Sequence, residues 1–167
     1  MRLDELEALC RQAASDLLTR EGRPLPPAVV LPTAQATRVL TVPDLPADPA
    51  ARRQALAALA EREMRPQGVP CWGFVGEAVA AGEAVDADVC LVAYGARGHP
   101  PQVTAAPFAD EGLGAFVAPE PLDERALPEL SVLQRAAEQA AAPPTGGSGP
   151  EPGPLDLWRS SGSGESG

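Results

Sequence analysis

VPCWGFVGEAV, residues 69–79, is the stretch on which the fold turns: valines, aromatics, a cysteine and small residues fill it, and Glu77 is its single charge. A short apolar run rich in valine and aromatic residues, with Gly68 before it and Gly82 after it, reads as a β-strand. DVCLVAY, residues 88–94, has the same character, and QVTAAPF, residues 102–108, reads as a third strand. The separators, Gly82–Asp86 and Gly95–Pro101, have the length of antiparallel connections. An antiparallel sheet is therefore expected at the centre of the fold.

Working outward toward the N-terminus, DPAARRQALAALAEREM, residues 48–64, carries the marks of a helix. Asp48 is placed to cap it, Pro49 suits its first turn, Leu56, Leu59 and Met64 keep an apolar stripe, and Pro66 with Gly68 stop it. Arg52, Arg53, Arg62 and Arg65, interspersed with Glu61 and Glu63, read as its solvated charged face. Ala28–Leu31 and Thr37–Val42 flank a PTAQA turn and predict a hairpin, with Pro32 limiting the first run to an edge strand. Ahead of them, Leu3, Leu6, Leu9 or Cys10, Ala13 and Leu17 recur at helical spacing. Asp4 and Glu7 stand at capping-box separation, so residues 4–20 read as an amphipathic helix ended by Gly22 and Pro24.

Toward the C-terminus a weaker helical pattern runs from Leu127 to Ala141, and composition then changes at Pro143. PPTGGSGPEPGP, residues 143–154, lacks the apolar content to order itself. The expected organisation is one α+β domain, residues 1–142, in which two or three helices pack an antiparallel sheet of about four to five strands. Residues 143–167 form a Pro/Gly/Ser-rich, disordered C-terminal tail. Within that tail Leu155, Asp156, Leu157 and Trp158 stand alone as an apolar cluster.

Composition narrows the function. The 167 residues include 16 glycines and 20 prolines, and lysine, asparagine and isoleucine are absent, as expected of a GC-rich genome. Every basic residue is arginine, and the formal charge of −10 repels phosphate backbones and anionic lipid at long range. Neither nucleic acid nor membrane is an expected partner. The first twenty residues carry four acids and no apolar run of signal length, so the chain is expected to start at its mature N-terminus and to stay in the cytoplasm. Three cysteines without CxxC spacing suit a reducing compartment.

Catalytic motifs are few. Without lysine there is no Walker A loop, no Schiff-base lysine and no Ser-x-x-Lys pair. One histidine rules out HExxH and three-histidine zinc sites. Ser15 and Ser131 both fall on predicted helices, and neither lies in a GxSxG elbow. The GLGAFV run, residues 112–117, places Val117 where a dinucleotide fingerprint needs its third glycine, so it reads as a turn. Pro70-Cys71 matches the opening of a zinc-deaminase PCxxC half-motif, but Phe74 occupies the second cysteine position and no upstream histidine exists. No metal and no cofactor is expected.

One catalytic grouping survives: Cys71, Glu77, Cys90, Tyr94 and His99, drawn from two neighbouring strands and the loop after them. His99 could serve as base for either thiol, or Glu77 as acid or base. Against this, the cysteines suit core positions, GARGHPP is turn-like, and Glu77 fits an outward strand position or an ion pair with Arg97. Two acidic clusters stand out, Glu77, Glu83, Asp86 and Asp88 without a base between them, and Asp110–Glu129 with only Arg125 among the acids.

The tail is the more informative feature. A linker leading to two leucines and a tryptophan has the physical form of a tethered docking peptide, with Leu155, Leu157 and Trp158 as anchors and Asp156 and Arg159 fixing polarity. The chain is therefore expected to be a non-enzymatic interaction or adaptor protein that meets a protein partner through this tail or its acidic surface. An inhibitor or immunity-type protein binding a basic target is the sharper form of that expectation. A small enzyme using Cys/His or Glu77, and a structural subunit of a larger assembly, are the alternatives.

Overall fold

The structure, a computed structural model, describes residues 1–80 and 87–140. Its elements run α1 (Leu3–Glu21), β1 (Ala28–Pro32), β2 (Thr37–Thr41), α2 (Pro49–Leu59), β3 (Cys71–Ala80), β4 (Ala87–Ala96), β5 (His99–Ala109), β6 (Gly112–Leu113), β7 (Glu120–Pro121) and α3 (Ser131–Gln139). A π-helical segment, Ala60–Met64, prolongs α2, and a 3-10 turn, Pro128–Leu130, leads into α3. The α+β class and the antiparallel sheet are as expected, but the sheet has seven strands rather than four or five. The added strands are β6 and β7, two residues each, too short to leave a periodic trace in sequence. β6 also falls on Gly112–Leu113 of the GLGAFV run, directly after β5, where only a turn was expected.

The strand order is β2-β1-β3-β4-β5-β6, with β7 also against β5. β1 is not the edge strand that Pro32 implied: it pairs with β2 along its whole length and with β3 at Ala28–Val30. Pro32 is tolerated because it lies past the last residue that β3 pairs, where β1 needs no second donor. β2 is the open edge. The opposite margin is covered, because the chain from Gly114 to Leu122 runs back along β5. Gly114 donates its N–H to the Pro107 carbonyl at 2.8 Å, Val117 to Ala105 at 2.9 Å and Leu122 to Pro101 at 3.0 Å, while the buried Thr104 hydroxyl donates to the Val117 carbonyl.

Both faces of the sheet are apolar, which explains why the strand runs barely alternate. Ala28, Val30, Cys71, Val75, Cys90, Val92 and Tyr94 form one face, packed against Leu6, Cys10, Ala13, Ala14 and Leu17 of α1. Val29, Leu31, Trp72, Phe74 and Ala93 form the other, under Leu56 and Leu59 of α2 and Leu133 and Ala137 of α3. The crossover from β2 to β3 through α2 puts that helix on the second face. Arg97 and Gly98 alone make the β4–β5 turn, with Gly98 at φ 79°, so the Gly95–Pro101 loop tightens to a hairpin.

Helix ends follow local chemistry with two corrections. Asp48 caps α2 as expected, its carboxylate accepting from the Ala51 N–H at 2.9 Å. α1, however, begins at Leu3, so Asp4 lies inside its first turn; Glu5 accepts from the Arg2 N–H at 2.8 Å, and Glu7 pairs instead with Arg11 one turn on. The arginines of α2 also divide. Arg62 and Arg65 pair with Glu63 and Glu61 near the surface, whereas half-buried Arg52 pairs with the buried Glu129 at 3.0 Å. Arg53 donates to the Pro128 carbonyl and the Ser131 hydroxyl, so this pair ties α2 to the entrance of α3 rather than facing water. Long-range pairing of this kind leaves no local sign in the helix's own sequence.

Cys10 lies directly over Gly73, where a built Cβ would collide with the Cys10 sulfur. Gly73→Ala is expected to destabilise the fold by about 1–3 kcal/mol. Adding Cys10→Ala, which removes that sulfur, should recover a large part of the loss; chemical denaturation of the four-member mutant cycle measures the coupling.

Candidate functional site

Register decides which of the chemically capable side chains meet. Glu77 lies opposite Cys90, Gly73 opposite Tyr94 and Cys71 opposite Ala96, so Cys71, Glu77, Cys90 and Tyr94 share the face beneath α1. Cys10 of α1 joins them from above. His99 does not join: it opens β5 opposite Ala96 and is exposed.

The three thiols are free and buried. Burial pushes Cys10 up to about 12, helped by Cys71 and Glu7 nearby, and Cys90 up to about 11, with the Glu77 charge adding to it. Cys71 is raised by burial as well. At neutral pH these sulfurs are protonated, whereas a nucleophile or metal ligand must be a thiolate. Tyr94 is held above its ordinary value by burial and then by the Glu7 carboxylate. Glu7 itself pairs with Arg11, whose guanidinium lies 4.8 Å from the centre of the Phe116 ring. Phe116 thus helps close the margin of α1 over the sheet.

Glu77 takes the ion-pair role expected of it, with a different partner. Arg23 donates to both its oxygens, at 3.2 and 3.1 Å, and the Leu25 N–H donates at 2.7 Å. The same guanidinium reaches Asp88 at 3.2 Å and stacks 4.0 Å above Phe108. Arg97 is excluded by position, since it follows the Cys71 end of β3 and donates its N–H to the Pro70 carbonyl. Six residues of strand separate that end from Glu77, roughly 20 Å. Hydrogen bonding from Arg23 is the main cause that lowers the Glu77 pKa, opposed by desolvation and aided by Leu25. A carboxylate so held is a lasting anion, not a proton carrier poised near neutrality. Its task is to fasten the Arg23–Leu25 segment to the sheet.

The acidic clusters resolve differently. Arg23 stands between Glu77 and Asp88, so that cluster is partly neutralised, and its Glu83 and Asp86 lie outside the described residues. In the second cluster Glu129 is buried against Arg52, but Asp110, Glu111, Glu120, Asp123 and Glu124 are all exposed. Among the described residues none of those five makes an ion pair.

Two features were missed in sequence, and both involve α3. Gln134 accepts from the indole N–H of Trp72 at 2.8 Å and donates to the Ala96 and His99 carbonyls and to Glu138. Glu138 in turn accepts from the Gly98 N–H. A glutamine amide has both donors and an acceptor, so one side chain clasps the hairpin and the core tryptophan together. Beside it lies a groove of about 220 Å³ lined by Pro101, Leu122, Leu127, Leu130 and Gln134 together with the exposed Glu124 and Arg135. Only the tertiary fold brings the two leucines of the 122–127 loop against α3, so no local pattern announces the groove.

Among the described residues no group of three or more His, Cys, Asp or Glu side chains is arranged to hold a metal ion. No helix there is long and apolar enough to cross a membrane. Leu155, Asp156, Leu157 and Trp158, the expected docking peptide, lie outside the described residues. Set against protein families, curated proteins and solved structures, the chain finds no match in any of the three.

Two outcomes follow from this chemistry. Glu77→Gln should cost about 1 kcal/mol at pH 7, because an amide cannot accept all three donors and loses the charge-assisted bonds. Since the native pKa is depressed, the stabilisation is full above the ordinary glutamate value and fades as pH falls through the native one. The gap between wild type and variant, followed by denaturation from pH 7 into the acid range, should therefore close. Separately, alkylation at pH 7.5 should be slow at all three cysteines in the native protein, fastest at Cys71, the only one with measurable exposure at 7%. All three should react promptly in denaturant, as mass spectrometry of the labelled chain would record.

Proposed function

We propose that this chain is a non-enzymatic protein-binding protein of a reducing, cytoplasmic compartment, an adaptor or an inhibitor of the immunity type. Its partner is a protein with a basic surface. Residues 155–158 serve as a docking peptide, and the exposed carboxylates between β5 and α3 serve as the electrostatic face. The observation that carries this reading is the set Asp110, Glu111, Glu120, Asp123 and Glu124, exposed and without ion pairs among the described residues. Exposed anions that no ion pair among the described residues neutralises attract a cationic partner and speed its encounter.

The fate of the alternative chemistry supports the same direction. The thiols are protonated core side chains, Glu77 is committed to Arg23 and Leu25, and His99 stands apart on the hairpin. The three free cysteines also favour a reducing compartment.

Affinity purification from the native host tests the proposal, comparing the intact chain with two variants. One combines Leu155→Ala, Leu157→Ala and Trp158→Ala; the other combines Asp110→Asn, Glu111→Gln, Glu120→Gln, Asp123→Asn and Glu124→Gln. A dominant basic partner should be captured by the intact chain and lost or weakened in each variant. Its association rate should fall about tenfold or more as salt rises from low to several hundred millimolar. Identical recoveries from all three proteins would overturn the proposal. Crosslinking of the captured complex requires carboxylate-reactive reagents, because the chain has no lysine.

A further inference from the structure

We propose that the groove between α3 and the Leu122–Leu127 loop is the resting site of this chain's own residues 155–158, so that the docking peptide is held in cis until a partner takes it. The inference rests on the reading of Leu155–Trp158 as a docking peptide and adds the place where it waits.

Complementarity is the first ground. The groove offers Pro101, Leu122, Leu127 and Leu130 as apolar lining, and Leu122 and Leu127 are only half-buried. Arg135, which also lines it, is exposed and has no ion pair among the described residues. The segment LDLW presents apolar side chains on both sides of one carboxylate. Leucines and tryptophan entering the groove would bury the exposed leucine surface, and Asp156 would meet the Arg135 guanidinium. Glu124 also lines the groove, and its repulsion of Asp156 disfavours orientations that bring the two carboxylates together.

Tethering is the second ground. Arg135 lies on α3, which ends at Gln139, so the groove and the start of the tail share one helix. Residues 141–154, at about 3.3 Å each when extended, can bridge up to about 45 Å. That reach exceeds the one or two helical turns between Arg135 and Gln139, about 6 Å along the axis. A short linker sets the effective concentration of the peptide near the millimolar range. A site of modest intrinsic affinity is then mostly filled without any partner, and a partner must compete with it.

Trp158 reports the contact directly. The chain has two tryptophans, and Trp72 is fully buried, so the acrylamide-quenchable fraction of full-length emission, separated from the unquenched Trp72 component, reads Trp158. Its quenching constant should lie about twofold or more below that of a synthetic peptide of residues 150–163, at every protein concentration. Asp156→Arg, and separately Arg135→Glu, should raise the constant toward the peptide value, and the double charge exchange should lower it again. Asp156→Arg lies outside the domain and remains informative if Arg135→Glu disturbs folding. Quenching equal to the free peptide in the wild type, no response to Asp156→Arg, or protection that grows with protein concentration would each overturn the proposal, the last by pointing to a second copy. No partner is present in this measurement, so its failure leaves the proposed partner binding standing, and failure of the purification experiment leaves the cis contact standing.

Discussion

The seating of Cys10 against the bare backbone at Gly73 sets how closely α1 approaches the sheet. A side chain at position 73 would lift α1 from the sheet, and with it Leu6, Ala13, Ala14 and Leu17, which seal one face of β1, β3 and β4. Because α1 closes that face, β3 must carry apolar or small residues at every position from Cys71 to Gly76, since α2 and α3 close the other. Polar groups are therefore pushed to the ends of the strand. At one end Glu77 is met by Arg23, and at the other the Trp72 indole is met by Gln134. These two polar fastenings of β3 mark where double burial begins and stops.

This arrangement explains how the chemistry divides. A core that takes its sulfur from three cysteines uses them as small hydrophobes, and the low-dielectric surroundings that make them good packing also keep them protonated. Surface chemistry is left to carboxylates and arginines. Arg23, Arg38 and Arg52 each find an acid partner on another element, as Arg38 does with Glu63 at 2.5 Å across from β2 to the end of α2, and Arg11 and Arg65 find one a turn away on their own. The exposed acids Asp110, Glu111, Glu120, Asp123 and Glu124 fall in one stretch of chain between β5 and α3 and make no ion pair among the described residues, which is why they, rather than any cleft of reactive groups, direct the functional proposal.

Much of the fold was legible in the sequence because the signals were local. The Asp48 cap, the apolar stripe at Leu56, Leu59 and Met64, the two valine- and aromatic-rich runs and the β1–β2 hairpin each sit where short-range rules put them. What escaped depends on residues far apart in the chain. Arg23 meets Glu77 across 54 positions and Gln134 meets Trp72 across 62, distances over which a single sequence carries no pairing signal. Pro32 misled for a related reason: the rule about proline in strands is correct for a paired position, and only the finished register shows that β3 stops short of it. Of the candidate site, the burial of Cys71 and Cys90 and the ion pairing of Glu77 were readable in kind, while the groove on α3 was not, since its wall comes from a loop without regular structure.

The sheet margins differ in a way that bears on assembly. On one side the chain folds back along β5 and occupies its outward carbonyls; on the other β2 presents a strand of five residues with no neighbour among the described residues. A strand edge can recruit another strand, and a molecule with two such edges can add copies without limit, which is how sheets grow into fibrils. Among the described residues β2 is the one strand longer than two residues with an unpaired margin, so edge pairing through it would join two molecules and leave neither a second strand of that length to offer. The backward run from Gly114 to Leu122 thus acts as a chain terminator, setting a ceiling on polymerisation that no property of β2 itself provides.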